Sequence, residues 1–173
     1  MDSEPDDSAS LWAFATRLYA RDGVAACCLR LQDEHDLDVD VVLACVWHPA
    51  RGGMLDEPTL ERVLAAIAPI QARVREVRSL RRTVGHDRDR DSAWEEAYRG
   101  LKATELAAER VELSRIEATL GPLPVDASRD PRHVRERAWQ GLRAYARRHA
   151  TGPCDALLRT FVDLALPPER PRP

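Results

Sequence analysis

Residues 23–47, GVAACCLRLQDEHDLDVDVVLACVW, decide the fold. Val24, Cys28, Leu31 and His35 fall at i, i+4, i+7 and i+11, the apolar stripe of a helix, and His35 continues that stripe. Residues 39–47 form a second segment, apolar nearly throughout and too long for a typical buried strand. Between them sits a polar knot, Gln32-Asp33-Glu34-His35-Asp36-Leu37-Asp38-Val39-Asp40, with five acids in eight residues. Asp38 is placed to cap the second helix, and Asp40 lies near its positive N-terminal end. The unit is therefore a helix–turn–helix of packing, and its chemistry is concentrated in the turn.

The same reading extends outward. Ser8 or Ser10 caps a first helix in which Leu11, Ala15, Leu18 and Tyr19 share one face, flanked by Trp12 and Phe14. After the breakers His48-Pro49 and Arg51-Gly52-Gly53, Pro58 opens a long helix whose stripe runs Leu60, Val63, Leu64, Ile67, Ile70, Val74, Val77, Leu80 and Val84. Pro69 inside it predicts a kink. Residues 85–91, GHDRDRD, predict a charged loop, and Ser92 starts a second long helix ending near Leu120. Asp130-Pro131 opens another helix to about His149, and a short helix runs from Cys154 to about Leu166.

The expectation is all-α: short N-terminal helices packed on a long antiparallel helical hairpin, plus one or two C-terminal helices. In domain terms, residues 1–7 are a disordered acidic lead and 8–120 the helical domain. Residues 121–129 are a linker, 130–166 C-terminal helices packing on the same domain, and 167–173 a disordered tail.

Composition narrows the class. The chain has 173 residues, long enough for a real core, with 44% hydrophobic and 32% charged residues. No apolar run approaches the roughly 20 residues of a membrane span. The four cysteines, Cys27, Cys28, Cys45 and Cys154, include no C-x-x-C and read as reduced buried thiols of a cytoplasm. The net charge of −3 conceals a division: residues 1–64 carry 13 acids and 5 bases, the remainder 16 acids and 21 bases.

Three groups of residues carry candidate chemistry. In the knot, Gln32, Asp33, His35, Asp38 and Asp40 offer hard oxygens and one imidazole to a metal or small ligand. Named metal motifs fail there, however. Asp36-x-Asp38-x-Asp40 matches the start of an EF-hand loop, but Val41 replaces its glycine and Trp47 its terminal glutamate. His35-Asp36 lacks the upstream histidine of HD-type phosphohydrolases, and no second aspartate-rich cluster of the prenyl-chain type exists. Capping and turn formation by Gln32, His35 and Asp38 account for most of these groups. The excess acidity calls for a cation or an arginine from elsewhere. A DNA-reading role fails because residues 39–47 present apolar groups and acids to an anionic groove.

Second, Arg78, Arg81 and Arg82 on one long helix, with Lys102, Glu105 and Glu109 on the other, are candidates for polar contacts between helices. Folding back around residues 85–91 places Arg81 and Arg82 opposite Glu95 and Glu96. Glu105 lies on the Tyr98-Leu101-Ala108 side and is expected to be partly buried against an arginine or Lys102. Third, Arg132, Arg135, Arg143 and Arg147 form a basic face behind a buried stripe of Val134, Ala138, Leu142 and Tyr145. That face suits solvent, docking onto the acidic N-terminal third, or RNA or another polyanion.

The segment LWAFATRLYARDGVAACCLRLQDEHDLDVDVVLACVW resembles the opening of a family of small, mainly proteobacterial proteins catalogued as a domain of unknown function. The matching residues are Leu11-Trp12, Tyr19-Ala20, Gly23-Val24, Cys28-Leu29-Arg30-Leu31-Gln32-Asp33 and Asp38-Val39-Asp40. The resemblance fades through the region of Lys102, Glu105 and Glu109-Arg110 and ends near residue 120. It implies an all-helical fold and a bacterial cytoplasm, and it implies no activity. This chain departs from the pattern twice, with Asp36 where the family usually has Gly and Asp40 where it has Asn. Both changes add acid, and the first strains a helix end that needs a left-handed residue.

No catalytic constellation is complete. The functional expectation is a cytoplasmic, non-enzymatic interaction or regulatory module whose partner is another protein or a second copy of itself. No cofactor and no membrane contact is predicted. Metal or small-ligand binding at the knot is the alternative, and polyanion binding through residues 132–148 a second.

Overall fold

Asp36 is where the chain turns. In the computed structural model, which describes residues 10–123 and 129–167, Asp36 has φ 55°, the one non-glycine residue with positive φ among those described. Its N–H reaches back to the Gln32 carbonyl at 3.1 Å, and Leu37 N–H reaches Leu31 at the same distance. This left-handed stop is a conformation that costs a glycine nothing and an aspartate something. It closes α2 (Val24–His35) and lets Leu37 drop into the core.

α3 (Val39–Ala50) follows at once. Asp38 caps it, accepting the Asp40 N–H at 2.9 Å, while Asp38's own N–H donates to the Tyr145 hydroxyl at 3.0 Å. Eleven of its twelve residues, Val39 through Pro49, are buried, so α3 is the axis on which the other helices pack. A helix apolar on all sides is stable only when enclosed on all sides. Its exit depends on Gly53, where a Cβ would stand 2.3 Å from His48 Nε2, so only glycine lets the buried His48 ring lie there.

α1 (Leu11–Tyr19) buries Leu11, Ala15 and Leu18. Ser10 caps it, and Glu117 from α5 accepts the Leu11 N–H at 3.0 Å. Tyr19, expected on the buried face, is partly exposed. α4 (Glu57–Arg88) and α5 (Glu95–Leu120) form the long hairpin, about 48 Å and 39 Å at 1.5 Å per residue. α6 (Pro131–His149) covers α3 with Val134, Ala138, Leu142 and Tyr145, and α7 (Asp155–Ala165) wedges Leu158 and Phe161 against α2 and α6.

The seven helices are as the periodicity predicts, and no strand occurs among the described residues. One boundary is corrected. Residues 85–88, expected in a loop, continue α4 to Arg88, and the turn shortens to a 3-10 segment at Ser92–Trp94. Gly85 packs against Tyr98, and the Arg88 guanidinium lies 4.2 Å from the centre of that ring. These contacts across the hairpin hold a terminal turn that its own composition disfavours. The acidic lead, residues 124–128 of the linker and the tail beyond Pro167 lie outside the described residues. Among the described residues, no helix is long and apolar enough to cross a membrane.

Candidate functional site

The polar knot does not stay together. Asp33 turns outward to an ion pair with Arg82 of α4, and its Oδ1 also accepts from Gln32 at 3.3 Å. Glu34 pairs with Arg30 one turn back at 2.8 Å. His35 lends its carbonyl to the Thr151 N–H at 3.1 Å, and its buried Nδ1 has no hydrogen-bond partner. Capping therefore rests on Asp38 and on the backbone turn at Asp36. The side chains of Gln32 and His35, expected to share that work, do not cap.

Asp38 and Asp40 face inward instead. Asp38 is held from two sides, by the Asp40 N–H on Oδ1 and by Gln71 Nε2 on Oδ2 at 2.8 Å. Asp40 is 7% exposed and its Oδ2 has no partner. Opposite it stands Glu112 of α5, 1% exposed, with neither carboxyl oxygen partnered. One oxygen from each of Asp38, Asp40 and Glu112 lies within 4.8 Å of the others. They line a cavity of about 330 Å³ between α1, α3, α4 and α5, whose walls include Trp12, Tyr19, Val74 and Leu106.

Electrostatics follow from this placement. Burial pushes the Glu112 carboxyl up to about 9, and the neighbouring Asp38 charge adds to the rise. Burial also raises Asp40 well above the carboxylate range, with Asp38 and then Glu112 contributing. At neutral pH Glu112 is therefore protonated, and its O–H is free to donate towards Asp38.

One turn away on α5 the acids are treated differently. Arg78 donates to Glu105 and to Glu109, each at 2.7 Å, and Arg81 adds a second contact to Glu105. Burial alone would raise Glu105, but the hydrogen bonds from Arg81 and Arg78 outweigh it and hold the carboxyl below its usual range. Burial raises Glu109, and Arg78 offsets part of that rise.

Of the residues proposed to meet between helices, Arg78, Arg81, Glu105 and Glu109 do meet. Arg82 goes to α2, and Lys102 is exposed. The expected pairing of Arg81 and Arg82 with Glu95 and Glu96 is corrected. Because α4 runs on to Arg88, Arg88 approaches Glu95 at 3.9 Å, while Arg81 reaches Glu105 further along the hairpin.

The basic face of α6 is largely engaged. Arg135 bonds to Asp163 and the Leu166 carbonyl, and Arg143 approaches Asp155 at 3.6 Å. Arg147 reaches Glu57 at 3.8 Å, and Arg148 reaches Glu57 and Glu61. Arg132 is exposed beside Trp139 and Arg159.

Sequence reasoning missed Glu112. It sits seven residues after Glu105, with Leu113 and Ile116 beside it, and so shares the buried face of α5. That spacing was the available signal. It is obscured because Glu112 stands in a run of acids with Glu95, Glu96, Glu105 and Glu109, of which Glu105 and Glu109 alone stand out as interhelix candidates.

The chain belongs to the family described as "Protein of unknown function (DUF2390)", whose pattern matches residues 10–116. Every residue lining the 330 Å³ cavity lies inside that match, whereas α6 and α7 lie beyond it. No curated relative and no solved structure matches.

Proposed function

We propose that the protein is a regulatory binding module that takes a small cationic ligand into the cavity between α1, α3, α4 and α5. The observation that carries this reading is the pair of buried, unpartnered carboxyls, Asp40 and Glu112, opening onto a space with apolar walls. Sites for small ligands have this composition: an apolar concavity of a few hundred Å³ with a few converging polar groups of shifted pKa. Of the five knot residues, Gln32, Asp38 and Asp40 line the cavity; Asp33 and His35 do not.

The test is thermal unfolding of the full chain at pH 8 with Mg²⁺, Mn²⁺, Ca²⁺ and n-hexylammonium. At least one cation stabilises the wild type, and Asp40→Asn with Glu112→Gln removes the gain. If no cation of the panel discriminates wild type from the double variant, the reading is wrong.

A protein partner, or a second copy of the chain, is a second reading. It is supported by Leu80, Leu106 and Val111, all more than half exposed on the hairpin. Light scattering that returns a strict monomer at all concentrations would remove self-association. Polyanion binding draws less support, since Arg135, Arg143 and Arg147 are each turned to an acid of the same chain. We place the protein in a bacterial cytoplasm, a setting supported by four buried free thiols and by the resemblance of its opening segment.

A further inference from the structure

The donor set at this site is better matched by a metal ion than by an organic cation. Arg78, the cationic residue among those lining the cavity, is already bonded to Glu105 and Glu109. Asp38, Asp40 and Glu112 bring three carboxyl groups to one point, and Asp40 and Glu112 have buried oxygens without a partner. A hard divalent ion takes an oxygen from all three at once, whereas an ammonium group offers them only hydrogen bonds. The separations also suit an ion. Oxygens on opposite sides of a hard divalent ion stand about 4.2 Å apart for Mg²⁺ and about 4.8 Å apart for Ca²⁺, and these three lie within 4.8 Å of one another.

We infer that Asp38, Asp40 and Glu112 form a site for a hard divalent cation, its remaining coordination positions turned into the cavity. This rests on reading the cavity as the ligand site. Asp38 is the preorganised member, since Gln71 and the Asp40 N–H already fix its plane and leave lone pairs for the ion. All three donors are carboxylate oxygens, which favour Mg²⁺, Mn²⁺ or Ca²⁺ over softer metals. Three protein ligands leave about three positions of an octahedron for water or for an oxygen donor of an organic co-ligand. The cavity has room for either.

The experiment is calorimetric titration of the full chain with MnCl₂ at pH 8. The expected result is one Mn²⁺ per chain. Glu112→Gln and Asp40→Asn each weaken binding at least tenfold. Gln71→Ala, which removes no ligand, weakens it by about tenfold or more. Far-ultraviolet circular dichroism of each variant guards against misfolding, and Glu76→Gln, in an exposed pair with Arg73 away from the cavity, serves as a control expected to bind normally. Mn²⁺ binding that persists unchanged in Glu112→Gln overturns the inference, because the ion then sits elsewhere on the acidic surface. Absence of Mn²⁺ binding at pH 8 also overturns it. In that event, stabilisation by n-hexylammonium that depends on Asp40 and Glu112 leaves the cavity reading standing, and its absence removes both.

Discussion

Two acidic clusters lie on one face of α5, about a turn apart, and they have opposite fates. Glu105 and Glu109 are closed by Arg78 and Arg81; Glu112 and Asp40, beside Asp38, are bonded to no arginine or lysine among the described residues. Glu105 and Glu112 are both buried, so burial alone does not distinguish them. The partner does. Beside two guanidinium groups Glu105 stays ionised below its usual range, while Glu112 without one is pushed up to about 9. The first cluster fastens α4 to α5; the second keeps a polar vacancy inside an apolar wall. A fold retains such a vacancy at a cost to its own stability, which is the pattern expected of a ligand site.

The sharpest way to break the contrast is to open the closed cluster. Arg78→Ala strands Glu109 and leaves Glu105 to Arg81 alone, and chemical denaturation is expected to show a loss of about 3 kcal/mol. Closing the open cluster should act in the other direction. Glu112→Leu replaces an unsatisfied carboxyl with a slightly smaller apolar group and is expected to stabilise the cation-free protein by about 1–2 kcal/mol. A drop in stability for that variant would mean that Glu112 has a structural partner.

A pH series sharpens the same point. Glu112 binds its proton more tightly folded than unfolded, so its contribution is fully present below about 4.5. It is lost as pH rises from there through about 9. Wild-type stability measured without divalent cations should therefore fall across that window, and Glu112→Gln should flatten the fall. The smallest effect belongs to the exposed pair. Arg82→Ala, which frees Asp33, should cost under about 0.5 kcal/mol, since each partner is about half exposed.

How much of this was legible in the chain depends on how local each feature is. The caps at Ser10, Asp38, Asp56 and Asp130 are set by side chains bonding backbone N–H groups two or three residues on, and sequence displays such patterns directly. The helix end near Asp36 was legible for the same reason, since the polar knot interrupts the apolar stripe there. The end of α4 was not. Gly85 and the alternating charges after it argue for a loop, and only the ring of Tyr98, thirteen residues later in the chain, holds them helical. The site was half legible. Asp38 and Asp40 stand beside each other in sequence, but Glu112 is some seventy residues away, and its burial is decided by how α1 and α3 seat on α5. Arg78 and Glu105 were recognisable as candidates, but their pairing depended on the hairpin register, which moved when α4 lengthened.

The enclosure of α3 has a consequence for timing. Eleven buried residues leave its amides no route to solvent short of opening the whole domain, so they should be the last to take up deuterium. α1, only nine residues long and tied at its start by Ser10 and Glu117, forms the opposite wall and should exchange early. The cavity thus has a slow floor and a fast roof. How long a guest stays would then be governed by the fraying rate of α1, while the carboxyls beneath it hold still.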